Sequence, residues 1–312
     1  MTSFPSGTAG LPPDGRPVVV TVGTFDGVHR GHWSVLDEIG ARAAAREGRS
    51  VLVTFDPHPL RIVRPEAAPK LLTTTKEKKA VLAASHLDYV VFLAFTPVLR
   101  EYSPRRFVTE ILLGGLGMSE LVIGYDHGFG RGRSGDVGTL RTIGAELGFA
   151  VDVVEAVHAG SAAVSSSSIR RALGDGRLAD ANRGLGRPYS LTGTVVPGEG
   201  RGRELGFPTA NVRVHGNDKL IPMEGIYACY ATVPPGRFMG ALHIGPRPTF
   251  PGAGAAVEVF LLDFAGDLYG CEIRLELIER LRPVAAFGSP AELAEQMRAD
   301  VSRTREVLAP GG

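Results

Sequence analysis

Apolar positions along the 312-residue chain follow two regimes. From Pro17 to about Arg183, short β-branched, largely apolar runs alternate with stretches of helical character. The runs are Val18–Val22, Val51–Phe55, Tyr89–Phe92, Leu121–Gly124 and Ala150–Val154. Between them, helices are expected over Ser34–Arg46, Thr75–Ser85, Pro104–Leu113 and Thr139–Leu147. Short continuous apolar runs suit a parallel sheet buried on both faces. Ser103 and Pro104 supply an N-cap followed by proline at the first helical position. The alternation predicts a doubly wound α/β domain.

After the turn Gly184-Leu185-Gly186-Arg187-Pro188 the alternation stops. Short β segments separated by glycine and proline follow: Ser190–Val196, Gly225–Val233, Gly240–Ile244, Ala256–Asp263 and Glu272–Leu281. They read as an antiparallel barrel or sandwich. Ser289–Leu308 places Leu293, Met297, Val301 and Leu308 among charges, which predicts an amphipathic helix packed on the barrel. The expected division is a flexible tail over 1–16, an α/β domain over 17–183 and a barrel domain over 184–312.

Composition narrows the choice of partner. With 34 basic and 33 acidic residues, nothing calls for nucleic acid. No apolar run approaches the roughly 20 residues that span a bilayer. The first residues have neither a basic nor an apolar signal region, so a cytoplasmic protein is expected. Cys229 and Cys271, two in all, form neither a disulfide framework nor a metal cluster and read as buried thiols.

The chemistry concentrates in turns. The run Val18–Val22 leads through Gly23, Thr24, Phe25, Asp26, Gly27 and Val28 to His29-Arg30-Gly31-His32 and a helical stretch. Histidines three apart on a first helical turn share a face, and Gly31 between them lets a ligand approach. Helix N-termini attract phosphate, and two imidazoles there can donate hydrogen bonds to a pentacoordinate phosphorus. Thr54-Phe55-Asp56-Pro57-His58-Pro59 forms a stiff loop at a strand's carboxyl end. A second loop, residues 124–136, is dense in glycine and contains Asp126. Ser165, Ser166 and Ser167 open a helix that has Arg170 near its start, an arrangement that makes sense beside a triphosphate. In the second half, the segment from Gly198 through Gly202, Gly206 and Pro208 to Thr209 and Asn211 lacks the Walker lysine but can wrap phosphates. Thr209 and Asn211, two apart on a strand, offer hard oxygens suited to Mg²⁺. Glu258, among the apolar residues Val257, Val259 and Phe260, is costly without a partner or a task, and a general base is one such task.

The HxGH turn resembles the signature of the nucleotidyltransferase superfamily, and its setting GTFDGVH narrows the resemblance to bacterial FAD synthetases. Further motifs in order are TFDPHP (54–59), the DxxFG loop (126–130), SSSxIR (165–170), GRxLGFPTAN (202–211), IGPRPTF (244–250), the VE pair (257–258) and LYG (268–270). From roughly Val18 to Ala299 the chain is similar to the bifunctional riboflavin kinase/FMN adenylyltransferase family. The resemblance implies an N-terminal nucleotidyltransferase domain that joins FMN to AMP from ATP and releases pyrophosphate. It implies a C-terminal barrel that phosphorylates riboflavin with ATP and Mg²⁺. His29 and His32 would stabilise the adenylyl-transfer transition state. ATP would meet Gly23, Thr24, Phe25, Gly31, Ser165, Ser166, Ser167 and Arg170, and the flavin would meet Phe55, Pro57, His58, Pro59 and Asp126. In the kinase half, Gly202, Gly206, Pro208 and Thr209 would bind ATP. Thr209 and Asn211 would hold the metal, and Glu258 would take the proton of the ribityl hydroxyl. Partners would be these small molecules, with the chain a monomer or weak homo-oligomer.

Three positions depart from common family residues: His127, His243 and Phe260, the last two positions after Glu258. They bear on flavin fit and relative rates. Two other readings remain: an adenylyltransferase for another phosphate acceptor with the barrel as a binding module, and a flavin- or nucleotide-sensing regulator that retains both pockets. Conversion of riboflavin to FMN with ATP separates both from the bifunctional enzyme.

Overall fold

The computed structural model describes residues 11–12, 14–125, 130, 134–159, 162–198, 202, 206–246 and 256–309. Two compact units divide at Val164/Ser165. The first carries strands β1 (Val18–Val22), β2 (Arg49–Asp56), β3 (Tyr89–Ala94), β4 (Met118–Gly124) and β5 (Ala150–Val154). Its helices are α1 (Arg30–Ala45), α2 (Leu60–Val63), α3 (Thr75–Leu82), α4 (Pro97–Arg100), α5 (Pro104–Phe107), α6 (Gly114–Leu116) and α7 (Val137–Leu147). A two-residue-per-strand hairpin, β6 (His158–Ala159) and β7 (Ala162–Ala163), closes this unit.

The sheet order is β3-β2-β1-β4-β5, and every pair is parallel. The period of two puts alternate residues of one strand on opposite faces. Val18, Val20 and Val22 join one core cluster with Leu140, Ile143 and Leu112, while Val19 joins the other with Leu36, Ile39 and Leu82. A layer of helices therefore covers each face, which is the doubly wound arrangement. The chain leaves β1 for β2 on one side and returns to β4 on the other, so the order reverses between β1 and β4. In such sheets the ligand crevice lies at that reversal, at the strands' carboxyl ends.

The first unit departs from the sequence expectation at two places. Residues 11–16 are not all a loose tail. Leu11 is buried in the core, the Pro12 carbonyl accepts a hydrogen bond from Arg49 at 2.8 Å, and Asp14 pairs with the same guanidinium. Buried Arg49 needs acceptors, and this segment supplies them. The expected helix from Pro104 loses α-helical pitch at Val108–Leu113, which forms a π-helical turn. Thr109 donates its hydroxyl to the Arg105 and Arg106 carbonyls there, a competition with the helical ladder that bends helices.

The second unit begins with α8 (Ser166–Gly174) and α9 (Leu178–Leu185). The expected boundary at 183/184 thus lies after two helices that cluster with the barrel. The reason is packing: α9 lies against the barrel strands, and Asn182 bonds the Leu277 carbonyl and the Tyr189 amide. Six strands follow: β8 (Tyr189–Val196), β9 (Thr209–Val214), β10 (Gly225–Val233), β11 (Gly236–Gly245), β12 (Ala256–Leu261) and β13 (Glu272–Arg282). They close an antiparallel barrel in the order β10-β11-β12-β9-β8-β13. Val257, Val259 and Leu261 are buried together with Leu242, Ile244, Ile273 and Leu275, so alternate residues of each strand fill the interior. Glu258 and Phe260 belong to the opposite face. The C-terminal helix, Pro290–Leu308, starts at an N-cap by Ser289 and packs on β10, β11 and β13. Among the described residues no helix is long and apolar enough to cross a membrane.

Candidate active sites

At the carboxyl end of β1 the backbone is held in unfavourable conformations. Phe25 and Val28 have φ of 46° and 41°, and Gly27 between them has 81°. Positive φ is rare for any residue with a side chain and costs of order 1–3 kcal/mol. Burial of both side chains and a buried carboxylate offset that cost. Phe25 is 4% and Val28 0% exposed. Asp26 accepts the Leu72 amide at 3.0 Å, the Thr73 amide at 3.1 Å and the Thr73 hydroxyl at 3.3 Å. Thr73 in turn accepts from the Gly27 amide at 3.1 Å. The Thr24 carbonyl receives Lys78 Nζ at 2.7 Å and the Thr54 hydroxyl at 3.0 Å. Burial pushes the Lys78 ammonium below its usual value, opposed by the charges of Asp26 and Asp56. Replacing Asp26 with Ala is expected to lower stability by about 3 kcal/mol, because two buried amides lose their acceptor. A denaturant titration checks this.

This turn delivers two histidines to the start of α1. His29 is the N-cap and His32 the third helical residue. The His29 Nδ1 accepts the His32 amide, and the His32 Nδ1 accepts the His29 amide, both at 3.3 Å. The pair thus closes a reciprocal capping box built from imidazoles. An Nδ1 that accepts a backbone N–H cannot carry the ring proton, so both rings hold it on Nε2. The rings stack at 3.6 Å between centroids, 16° from parallel, and Phe25 backs His32 at 4.5 Å. A side chain on Gly31 would lie 3.3 Å from the His29 ring and 3.6 Å from the Val164 carbonyl. The arrangement places two Nε2–H donors at a helix N-terminus beside the sheet's reversal point, a geometry fitted to a phosphate.

Other expected residues of this half fall differently. Phe25 and Phe55 are buried supports rather than open binding faces. Phe55 is 7% exposed, with its ring 5.5 Å from Phe95 and 6.3 Å from Phe107. Gly23 faces the Phe25 ring, and Thr24 is half-buried. Pro57 is exposed after a cis peptide bond with Asp56, and His58 and Pro59 are half-buried. Asp126 and His127 lie outside the described residues. Ser165 is the N-cap of α8 and shares a capping box with Ser168, so its hydroxyl is used in the cap. Ser166 and Ser167 are the first two helical residues, and Arg170 lies on the second turn. These four begin the second unit.

The second unit holds a cleft of about 700 Å³ on the outer face of its barrel. Thr209, Asn211, Glu258 and Gly202 all line it. Asn211 stands opposite Glu258 in the β9–β12 register, and Thr209 stands opposite Phe260. Gly198 and Gly202 lie close against this part of the cleft. A Cβ on Gly198 would lie 2.0 Å from Asn211 Nδ2, and one on Gly202 would lie 2.3 Å from the Phe207 carbonyl and 3.3 Å from Thr209 Oγ1. Gly206 has a φ of +84°, and Pro208 is exposed. Among the described residues no group of three histidine, cysteine or acidic side chains is arranged to hold a metal ion. The hydroxyl and amide oxygens of Thr209 and Asn211, with the space the glycines leave above them, fit a hard cation that draws most ligands from phosphate and water.

One wall of the cleft was not apparent from the sequence. The stripe Leu293, Met297 and Val301, expected to pack on the barrel, lines the cleft with Phe260 and Phe287. Asp300 on the same helix takes Arg282 in a two-bond pair at 2.8 and 2.6 Å and is also bonded by Gln296 at 3.0 Å. A charged residue in the stripe was the only signal, and charge on a helix usually marks a solvated face. The cleft therefore combines an aliphatic and aromatic lining with a few polar side chains, as small-molecule sites do.

Two family models match the chain: FAD synthetase over residues 11–168 and riboflavin kinase over residues 185–308. The chain is 38% identical over 305 residues to the bifunctional riboflavin kinase/FMN adenylyltransferase of Pseudomonas fluorescens, covering 97% of each. It belongs to this family. The Escherichia coli K12 member is 36% identical, with 92% of each chain covered. The Listeria monocytogenes member is also 36% identical, with 93% of this chain and 92% of that one covered. Among solved structures, a Streptococcus pneumoniae protein described as a macrolide-efflux protein superposes with a TM-score of 0.85 at 26% identity, covering 93% of this chain and 94% of that one. The first family model ends at residue 168 and the second begins at residue 185.

Proposed function

We propose that the two activities of this bifunctional riboflavin kinase/FMN adenylyltransferase are carried by the two constellations described above, one in each half. In the barrel cleft, the isoalloxazine ring packs against the aromatic and aliphatic wall, and the ribityl 5′-hydroxyl points at Glu258. The carboxylate takes the hydroxyl proton as that oxygen bonds to the γ-phosphorus of ATP and the bond to ADP breaks. Thr209 and Asn211 would hold Mg²⁺, which would supply charge neutralisation across the phosphates. The glycines at 198, 202 and 206, with Pro208, seat the phosphate chain.

In the α/β half, an oxygen of the FMN phosphate attacks the α-phosphorus of a second ATP and pyrophosphate leaves. No covalent enzyme intermediate is needed. His29 and His32 donate from Nε2 to the oxygens that gain charge, which is catalysis by preorganised donors and positioning. Gly31 leaves room for the triphosphate. Pro57, His58 and Pro59 border the flavin side.

The observation that carries this reading is the reciprocal cap of His29 and His32, because it selects the tautomer that donates. The test is incubation with riboflavin, ATP and Mg²⁺, followed by chromatographic separation of the flavins. FMN appears first and FAD follows. FMN without FAD would remove the adenylyltransferase assignment, and unchanged riboflavin would remove the kinase.

A smaller effect is expected at the glycine arch. Gly198→Ala drives a methyl into the Asn211 amide. It should raise the KM for MgATP in FMN formation about tenfold while FAD formation from supplied FMN stays within twofold. Steady-state kinetics on each half-reaction measure both.

A further inference from the structure

The barrel register aligns one residue from each of four neighbouring strands along the cleft. Asn211 of β9 pairs with Glu258 of β12, Glu258 with His243 of β11, and His243 with Ile226 of β10. All four line the cleft. Directly opposed residues of an antiparallel pair have Cβ atoms about 5 Å apart, so Glu258 has a polar neighbour on each side. Along its own strand the same-face neighbours are Ala256 and Phe260, which offer no polar head. Asn211 serves the phosphate side in the reading above. Arg282, which pairs with Ile226 on the far side of β10, is committed to Asp300. Among the described residues of this row, His243 is therefore the side chain beside Glu258 that can orient its carboxylate.

We propose that His243 is a positioning residue for the kinase reaction: its imidazole, directly across the strand pair from Glu258, sets the carboxylate rotamer that meets the ribityl hydroxyl. The inference rests on Glu258 being the general base. A glutamate has three rotatable bonds, and on a half-exposed strand face nothing in its own backbone selects one rotamer. A base displaced by 1 Å can lose on the order of a hundredfold in rate.

The imidazole occupies the space that a side chain at residue 245 would fill. A Cβ on Gly245 would lie 2.5 Å from its Nε2 and 2.7 Å from its Cε1, so the ring lies flush over that glycine. Burial keeps the ring below the usual histidine value, as does the charge of Arg282, while Glu258 and Glu224 pull it upward. A neutral ring has one N–H to give a carboxylate and adds no charge to the phosphate site. The hydrogen bond to Glu258 is not made in this structure, and catalytic hydrogen bonds of this kind tighten with substrate.

The test measures both half-reactions on the full chain. His243→Leu should lower kcat for FMN formation about 10- to 50-fold, with the KM for riboflavin and for ATP within threefold and FAD formation from FMN unchanged. His243→Asn, which keeps an N–H donor at the same place, should retain at least half of kcat. In the Glu258→Gln background, His243→Leu should have no further effect. Wild-type kcat in His243→Leu would overturn the proposal. So would an equal loss in the Glu258→Gln background, or His243→Asn falling as far as His243→Leu. If Glu258→Gln alone kept full kinase activity, the base assignment would fall and this inference with it. If only the His243 variants were silent, the base assignment would stand alone.

Discussion

Glu258→Gln leaves riboflavin unphosphorylated. The amide has nearly the shape of the carboxylate and cannot accept the ribityl proton. General-base assistance contributes roughly 10² to 10⁴ in rate, so the kcat for FMN formation should fall about a thousandfold. Stability should change little, because Glu258 is half-buried and the amide keeps the size and polarity of the carboxylate. The same preparation should convert supplied FMN to FAD at the wild-type rate. Following both products in one chromatogram makes the FAD signal an internal control for the full chain. Retention of more than a tenth of the FMN-forming activity would remove Glu258 from the role of base.

The complementary result is expected at the helix start. His29→Asn or His32→Ala should lower FAD formation by roughly 10² to 10³, the range seen when one preorganised donor to a developing oxyanion is removed. FMN formation should continue, so FMN accumulates. His29→Asn is the more informative of the two. Asparagine is among the best N-cap residues, so it keeps the helix start but lacks an Nε2–H at imidazole reach. A preserved melting temperature with lost FAD formation would separate catalysis from capping. His32→Ala also removes one half of the reciprocal cap and should cost about 1 kcal/mol of stability in addition. Normal FAD formation in His29→Asn would reduce this pair to a structural cap.

Much of this was legible in the chain. The expected bounds of β1 and β5 coincide with those observed, because β-branched valines dominate both runs, even though β1 holds the buried Thr21 and β5 the half-buried Asp152, which pairs with Arg42. The HxGH spacing put two imidazoles on one helical turn, and their rings do stack. The two-residue spacing of Thr209 and Asn211 put both in one cleft. Other features were not legible. Asp26 reads as an ordinary turn residue, yet its partners are Leu72 and Thr73, 46 and 47 positions away. Phe25 and Phe55 sit in motif positions that suggest ligand contact, but their rings are core supports. The aliphatic stripe of the C-terminal helix has the period of a packing face, and period alone cannot say whether a barrel or a ligand will cover it. Likewise the end of the alternating pattern did not reveal that α8 and α9 pack with the barrel.

The order of residues by itself determined the kinds of element, the turn that carries the histidines, the hard-oxygen pair and the division of chemistry between two halves. These depend on spacing within a few residues, where backbone geometry alone relates one side chain to the next. Tertiary structure decided that β4 lies beside β1, that Asn211, Glu258 and His243 form one row, and that Asp300 reaches Arg282. Those pairings join segments tens of residues apart. A period-two pattern says which face a residue takes but not which strand will lie next to it, so only the closed barrel and the ordered sheet could set them.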